Sequence, residues 1–438
     1  GRVTRTALLI TLTALLGAAG GCRAPAEKER VVLRVWSMWS GEEERAFRRV
    51  LDRYQELHPH VVIRNLGSIR DDTKTIRAIV AGDPPDICTL ADTLYLGPMA
   101  AQGALTPLDE RYREAGFRDE QFTPAALALS RYRGKLYALP FLLDCYALMW
   151  NRDLFRRSGL DPDRPPRSID ELERMALALT KRDGAGNLLQ LGFAPLSNRS
   201  FYAGDIFILF HLFGGRLYDE SEARVTADAP QNVAAMRWYA KLIEGMGGFR
   251  KVNAFAAGFG QAQGGNNPFF QGKIAMMING QWNPYWAQEY APNLDYGVAP
   301  LPTPTANGSP TLRTWFGGNL FVIPKGSRHP DEAWKLLAWM QTDEAQFLFA
   351  DTMHGVPNRR SALPDPRLRS GEKWREQFAV FLDISENAEG GYFPTLPVAG
   401  LYQNLMIDTL DFVLEGSKEP VAALREVGRR VQRELDRY

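Results

Sequence analysis

A single carboxylate interrupts a long apolar run. The run 141–150, FLLDCYALMW, has the composition of a strand, and Asp144 is its one charge. A carboxylate in such a place needs partners, because an unpaired buried charge costs free energy. Either a structural arginine or a ligand could supply them, and we favour the ligand.

Large aromatic side chains follow a second apolar run. The stretch 269–286 reads FFQGKIAMMINGQWNPYW, and its segment 273–278 has the length of a strand that Asn279-Gly280 ends. Beyond that turn come Trp282, Asn283, Tyr285 and Trp286. These side chains form either the wall of a binding site at the end of a buried strand or an aromatic loop packed on itself.

The first candidate strand ends in a polar and aromatic loop. Strand 31–36, helix 42–57 and strand 61–63 make a β-α-β unit, which predicts a parallel sheet with a right-handed crossover. Ligands of such sheets bind at the carboxyl ends of the strands. The loop with Ser37, Met38 and Trp39 is therefore a candidate site.

Two further residues have an open interpretation. Asp92 follows the predicted strand 87–90 and could bond a ligand hydroxyl or serve as the N-cap of the next helix. Tyr202 lies near the start of the predicted helix 201–213, where it could face a cleft or the core.

Length and charge limit the class of protein. A chain of 438 residues exceeds one ordinary core and predicts two or three domains. The net charge is +1, and removal of Arg2 and Arg5 with a leader leaves 1 − 2 = −1. Nucleic acid is not a predicted partner, because it selects a basic surface.

The amino terminus is typical of an export signal. Arg2 and Arg5 precede the apolar run 7–16, and small residues lead to Cys22. The segment resembles the lipobox of bacterial lipoproteins, with Ala19 where Leu is usual, and predicts lipidation of Cys22. An ordinary signal peptide containing a Cys is the alternative. Residues 23–30 are predicted to be a tether.

Two further cysteines remain. Cys88 and Cys145 could pair in an exported protein. Each lies in an apolar segment, so we expect two buried free thiols.

Seven stretches, in order, resemble those of the bacterial extracellular solute-binding proteins of the maltose and glycerol-phosphate type, the receptors of carbohydrate ABC importers. They are VLRVWSMWSGEEE, AGDPPDI, GKLYALPFLLDCYALMWNRDLF, FFQGKIAMMINGQW, DYGVAPLP, GGNLFVIPKGSRHPDEAWKLLAWM and FPTLPVAGLYQNL. They cover nearly the whole chain after the tether.

The resemblance implies an α/β, two-lobed periplasmic-binding-protein fold (type II-like), in which each lobe is a sheet flanked by helices. The lobes would be joined by a hinge in which the chain crosses several times, near 140–145, 297–302 and 355–360. Residues 1–22 would be the lipoprotein signal peptide. The N-terminal lobe would comprise 31–142 and 303–357, and the C-terminal lobe 143–302 and 358–438.

The resemblance also implies a sugar site between the lobes. By position, the implied contacts are Ser37, Met38, Trp39, Asp92, Asp144, Trp282, Gly317, Gly318, Asn319 and Tyr402. Many relatives have His-Ser-Met after the first Trp, and Ser37-Met38-Trp39 here favours a stacked sugar over a phosphorylated one. Arg359 could hold an anion, although a hinge salt bridge is the favoured interpretation.

The sequence thus predicts a lipid-anchored, monomeric receptor at the outer face of the cytoplasmic membrane or in the periplasm. It would capture a mono- or oligosaccharide and deliver it to importer permease subunits, without a cofactor or catalysis. No metal is predicted, because His58 and His60 have no third ligand nearby. A glycerol-phosphodiester receptor and a glycosidase using Asp92 and Asp144 are the alternatives.

Overall fold

The structure is a computed structural model that describes residues 30–69, 72–91, 93–196, 205–260, 264–304 and 312–438. Its secondary structure is mixed α/β, as the sequence predicts, with a central sheet flanked by helices.

The strands of the described residues are short, apart from two long ones. They are β1 (Val31–Trp36), β2 (Val61–Leu66), β3 (Ile87–Ala91), β4 (Arg131–Tyr132), β5 (Lys135–Leu136), β6 (Ala138–Asn151), β7 (Lys181–Arg182), β8 (Leu188–Gln190), β9 (Tyr218–Asp219), β10 (Arg224–Val225), β11 (Met276–Gly280), β12 (Tyr296–Ala299), β13 (Arg313–Val322) and β14 (Glu389–Gly391).

The helices of the described residues flank these strands. They are α1 (Gly41–Leu57), α2 (Asp72–Val80), α3 (Thr93–Ala101), α4 (Asp109–Glu114), α5 (Pro124–Ser130), α6 (Arg152–Arg157), α7 (Ile169–Leu179), α8 (Ile206–Leu212), α9 (Pro230–Met246), α10 (Phe249–Ala257), α11 (Asn283–Tyr290), α12 (Pro330–Trp339), α13 (Asp343–Met353), α14 (Lys373–Asn387), α15 (Ala399–Leu414) and α16 (Pro420–Leu435).

The central sheet has the order β11-β6-β13-β3-β1-β2, with β12 also on β6 and β14 also on β13. Strands β1, β2 and β3 are parallel, as the predicted β-α-β unit requires. Helix α1 buries Phe47, Val50 and Tyr54 on one face, which is the helical spacing expected from its sequence.

Two long strands connect the two halves of the sheet. The first half of β6 pairs with β13, and its second half pairs with β11 on one edge and β12 on the other. Strand β13 in turn pairs with β3, so it returns the chain to the first half. The apolar run around Asp144 therefore spans both halves of the sheet.

One sequence-based boundary was wrong: Asn279 and Gly280 are the last residues of β11 rather than a turn. Gly317 and Gly318 lie inside β13. The stretch 297–302, where a crossing is predicted, begins as β12, which pairs with the second half of β6. Short runs containing Gly look like turns because β pairing across the chain is not visible locally.

Hydrogen bonds from buried amide groups hold the stretch 355–360, the last of the three implied hinge segments, against β6. Leu143 and Val356 exchange both backbone hydrogen bonds, at 2.8 and 3.0 Å. The side-chain amide of Asn358 donates to the carbonyl of Pro140 and, at 3.1 Å, to Oε1 of Gln341. The side-chain NH2 of Asn358 and the backbone groups of Val356 are thus paired with β6 and Gln341, which holds this segment against the start of β6.

Cys88 and Cys145 are free and buried, which confirms that prediction. Within the described ranges, no helix combines the length and the apolar character required to cross a bilayer. Cys22 and the rest of the predicted signal and tether, up to residue 29, lie outside the described residues.

Candidate ligand-binding site

One face of the crossing strands gathers polar and aromatic side chains. Asp144 is in register with Gly317, and Leu142 with Asn319. Because cross-strand partners and alternate residues share a face of a sheet, the face is defined by its period of two. It consists of Leu142, Asp144 and Tyr146 on β6 and Trp315, Gly317 and Asn319 on β13. We call this set the crossing face.

The carboxylate of Asp144 is held by a buried glutamine. Nε2 of Gln281 donates to Oδ1 of Asp144 at 3.1 Å. Oε1 of the same glutamine accepts from the backbone N–H of Cys145 at 2.8 Å. Gln281 is only 2% exposed, while Asp144 stays partly exposed.

An aromatic pair lies beside this carboxylate. The rings of Tyr146 and Trp282 meet edge to face, with centroids 5.9 Å apart and an interplanar angle of 86°. The Trp282 ring lies over Gly280, where a Cβ atom would come within 2.1 Å of it. A glycine at the end of β11 is therefore required for this ring position. Both rings remain partly exposed.

The two glycines of β13 have different surroundings. A Cβ atom on Gly317 would make only ordinary contacts, 3.7 Å from the side chain of Asp144. On Gly318, which faces the other way, it would lie 2.8 Å from the carbonyl oxygen of Leu142. Gly317 thus leaves space beside the carboxylate, whereas Gly318 permits close strand packing.

The first lobe contributes the loop after β1. The backbone N–H of Met38 donates to the hydroxyl of Thr89 at 2.9 Å, and the Met38 side chain is partly exposed. Ser37 is fully buried, and its hydroxyl has no hydrogen-bond partner among the described residues. Asn319 is in register with Ala91, the last residue of β3, so it too lies at the carboxyl edge of this half of the sheet.

Trp39 does not have the predicted position. Its ring is 3% exposed and packs against Phe47, Phe141 and Phe321, at centroid distances of 4.7, 5.0 and 6.2 Å. Those rings cover the indole and make it part of the first lobe's core. Trp39 is therefore unavailable for the predicted sugar stacking.

Tyr402 is also a core residue. It is 0% exposed, and its hydroxyl donates to the carbonyl of Leu217 at 2.9 Å. Burial raises the pKa of this phenol well above its usual value. The predicted contact between Tyr402 and a ligand does not fit this enclosed position.

The aromatic stretch after β11 combines both interpretations of its sequence. Trp282 faces Tyr146 of the crossing strand, as a binding wall requires. By contrast, Tyr285 stacks on His354 at 3.7 Å, and Trp286 stacks on Tyr290 at 5.4 Å. The stretch also starts a helix, α11, at Asn283, where the sequence suggested a loop.

Arg359 lies among aromatic rings of the first lobe. Its guanidinium is 4.9 Å from the centroid of Phe122 and 5.6 Å from that of Phe117. Its Nε is buried without a hydrogen-bond partner, and Arg359 forms no ion pair among the described residues. Burial lowers the pKa of this guanidinium. The favoured hinge salt bridge is therefore absent from the described structure.

Two predicted site residues cannot be compared with the structure. Asp92 and Tyr202 lie outside the described residues. In the described ranges, no group of three or more His, Cys, Asp or Glu side chains is arranged to hold a metal ion.

Sequence reasoning missed Gln281, Tyr146 and Trp315. Tyr146 was detectable, because a residue two positions after Asp144 in a strand shares its face. Gln281 carried no such signal, since its contacts join residues 137 and 136 positions apart in the chain.

The fold and this face define a two-lobed α/β binding protein with its candidate site where the lobes meet. The chain belongs to the family described as bacterial extracellular solute-binding protein, whose model matches residues 39–347.

Individual relatives support the same assignment. The chain is 24% identical over 340 residues to the maltotriose-binding protein of Pyrococcus abyssi, covering 77% of this chain and 68% of that protein. It is 25% identical over 299 residues to the sn-glycerol-3-phosphate-binding periplasmic protein UgpB of Salmonella typhimurium, covering 66% and 65%.

Solved structures of CpMnBP1 with mannotriose and with mannobiose bound are also similar. They are 29% and 28% identical to this chain, each with a TM-score of 0.78, covering 92% of this chain and all of the other.

Proposed function

We propose that this protein captures a neutral mono- or oligosaccharide between its lobes and delivers it to the permease of an ABC importer. The observation that carries the proposal is the pairing, on the crossing face, of the Asp144 carboxylate with the Tyr146–Trp282 rings. Pyranose rings present C–H faces that stack on aromatic rings, while their hydroxyls donate hydrogen bonds to a carboxylate.

The described part of the site favours a neutral ligand over a phosphodiester. Among the described residues, the crossing face with Gln281, Trp282 and Met38 includes one carboxylate and no cation. A phosphate brought next to Asp144 would meet a like charge at close range. Arg359, the cation that the sequence suggested for an anion, makes its described contacts with first-lobe residues.

The relatives suggest where to begin. CpMnBP1 is solved with manno-oligosaccharides and the Pyrococcus relative binds maltotriose. Mannobiose, mannotriose, maltose and maltotriose are thus the first ligands to test.

The proposal also includes the division into lobes, the oligomeric state and the location of the protein. The lobes would comprise 31–142 with 303–357 and 143–302 with 358–438, and would close on the ligand by a hinge motion. The protein would be a monomer tethered through lipid on Cys22 outside the cytoplasmic membrane. It would break no bond of the sugar, as the names of the family and of its relatives, all binding proteins, suggest.

A thermal-shift panel tests the proposal. The panel contains the four sugars above, sn-glycerol 3-phosphate and a glycerophosphodiester. A ligand at about 100 times its Kd adds roughly 2.7 kcal/mol to the free energy of unfolding. A rise in Tm with a sugar, without release of new reducing ends, supports the receptor. A rise in Tm with the phosphates alone would mean that the ligand is a glycerol phosphate and not a neutral sugar. Release of reducing ends would indicate a glycosidase.

Replacing Trp282 with alanine is expected to weaken binding of the sugar found in this panel by about 2- to 12-fold, because an aromatic stacking contact contributes roughly 0.5–1.5 kcal/mol. Calorimetric titration provides the Kd. Trp286→Ala is the matched control, since Trp286 lies one turn further along α11 and stacks on Tyr290. Equal losses in the two variants would argue against a stacking role for Trp282.

A further inference from the structure

Gln281 occupies a place where the sheet loses a partner strand. The β11–β6 ladder ends with Gly280 opposite Tyr146, after which the chain turns into α11. The next backbone donor of β6, the N–H of Cys145, is met by the side-chain oxygen of Gln281 at 2.8 Å. The glutamine thus satisfies a buried backbone group that would otherwise be costly to leave unpaired.

This contact determines which way the amide points. A backbone N–H can only donate, so Oε1 must face Cys145 and the NH2 group must face Asp144. The glutamine therefore supplies the carboxylate with a hydrogen bond but with no neutralising charge. Oδ1 of Asp144 is held at 3.1 Å from Nε2.

The same residue connects the carboxylate with the aromatic wall. Gln281 is followed directly by Trp282, whose ring is confined between Gly280 and Tyr146. Tyr146 lies two residues beyond Asp144 on the same face, about 7 Å along the strand. One buried side chain thus links the hydrogen-bonding group to the stacking group.

We propose that Gln281 is the positioning residue of the sugar site, which orients the Asp144 carboxylate and sets its spacing from the Trp282 ring. This inference rests on the proposed function for its ligand. The contact between Gln281 and Asp144 can nevertheless be tested without any ligand.

The decisive variant is Gln281→Glu. A protonated glutamic acid reproduces the amide, because it accepts from Cys145 N–H and donates to Asp144. An ionised one places two carboxylates side by side, so one pKa of the pair rises above the ordinary glutamate value near 4.3. A folded-state pKa that is raised stabilises the fold at low pH, and this stability is lost as the pH rises through the raised value.

The described neighbours of the pair on β13 carry no charge. The β13 residues in register with Asp144 and Cys145 are Gly317 and Phe316, which carry no charge. Burial raises the pKa of the Cys145 thiol to about 12, so this thiol stays protonated during the experiment. The residue next to Gln281, at the N-cap of α11, is Trp282, which does not titrate.

The first readout is Tm against pH from 5 to 8 without ligand. We expect the Tm of Gln281→Glu to lie nearest that of wild type at pH 5, to fall as the pH rises through the raised pKa, and to level off above it, where both the folded and the unfolded states are ionised. Gln288→Glu is the matched control, because Gln288 also donates to a carboxylate, Glu372, at 3.2 Å, but at the exposed side of α11. A Tm profile of Gln281→Glu no steeper than that of this control would overturn the inference.

The second readout is the Kd for mannotriose over the same pH range. Gln281→Glu should bind at least about tenfold more weakly at pH 8 than at pH 5, because the affinity of a site that needs the protonated form falls about tenfold for each pH unit above its pKa, while wild type changes little. A Kd that does not depend on pH, alongside a pH-dependent Tm, would restrict Gln281 to a structural role and contradict its role in positioning.

The double variant Gln281→Glu with Asp144→Asn exchanges the two ends of the pair. It should recover a pH-independent Tm, because a single carboxylate again faces an amide, yet it should not recover mannotriose binding. If wild type itself binds none of the sugars while the Tm profiles behave as expected, the proposed function fails and the Gln281–Asp144 contact stands. Recovery of binding by the exchange would contradict the assignment of the ligand's acceptor to Asp144.

Discussion

Replacing Asp144 with asparagine is expected to weaken sugar binding by about 10- to 150-fold. Hydrogen bonds to a charged group contribute roughly 1.5–3 kcal/mol, and this exchange removes the charge with little change of shape. Gln281 can still pair with the new amide oxygen, so the fold should be retained. Calorimetric titration of wild type and variant with mannotriose, or the sugar found in the panel, measures the loss.

The control for this experiment is Asp331→Asn, which removes an exposed carboxylate paired with Arg111 in the first lobe. Its affinity should match wild type. If Asp144→Asn keeps the wild-type Kd, the carboxylate does not contact the ligand and the crossing face is not the site as described.

Replacing Gly97 with alanine is expected to weaken binding by about 5- to 150-fold through the closure of the lobes. Gly97 lies in α3, the helix that follows β3 of the first lobe. It contacts the segment just before α15, and α15 packs on α9 and α16. A Cβ atom there would lie 2.3 Å from the carbonyl oxygen of Leu396, closer than real Cβ contacts come. The two segments must separate, and such overpacking costs roughly 1–3 kcal/mol.

The measurements are the Kd and the radius of gyration with saturating sugar, from small-angle scattering. Gly400→Ala is the matched control, because Gly400 is also helical and a Cβ atom there meets nothing within 4 Å. We expect a larger radius only for Gly97→Ala. Wild-type affinity and radius in both variants would mean that this close approach is not part of the liganded form.

The sequence predicted features that depend on composition over a long run. The strand around Asp144 was recognisable because fourteen residues, Ala138–Asn151, remain almost wholly apolar. Its lone carboxylate marked the site for the same reason. The α/β class followed from the first β-α-β unit, whose pairing the structure confirms.

Other features depend on contacts between distant parts of the chain. The loop after β1 could be predicted, but not that Trp39 would turn inwards to Phe47, Phe141 and Phe321. The continuity of β13 through Gly317-Gly318 was not visible in the sequence, since it depends on the partner strands β3 and β6. Gln281 could not be predicted as a site residue, because its hydrogen bonds are to Asp144 and Cys145 of β6 and not to residues of its own segment.

Capture of a neutral sugar is tested most directly by calorimetric titration of the wild-type protein with mannotriose, maltotriose and sn-glycerol 3-phosphate under the same conditions. We expect one-to-one binding of a neutral sugar, with a Kd on the order of micromolar or tighter, and no heat of binding from the phosphate. Binding of sn-glycerol 3-phosphate alone, by a protein shown to be folded, would contradict it.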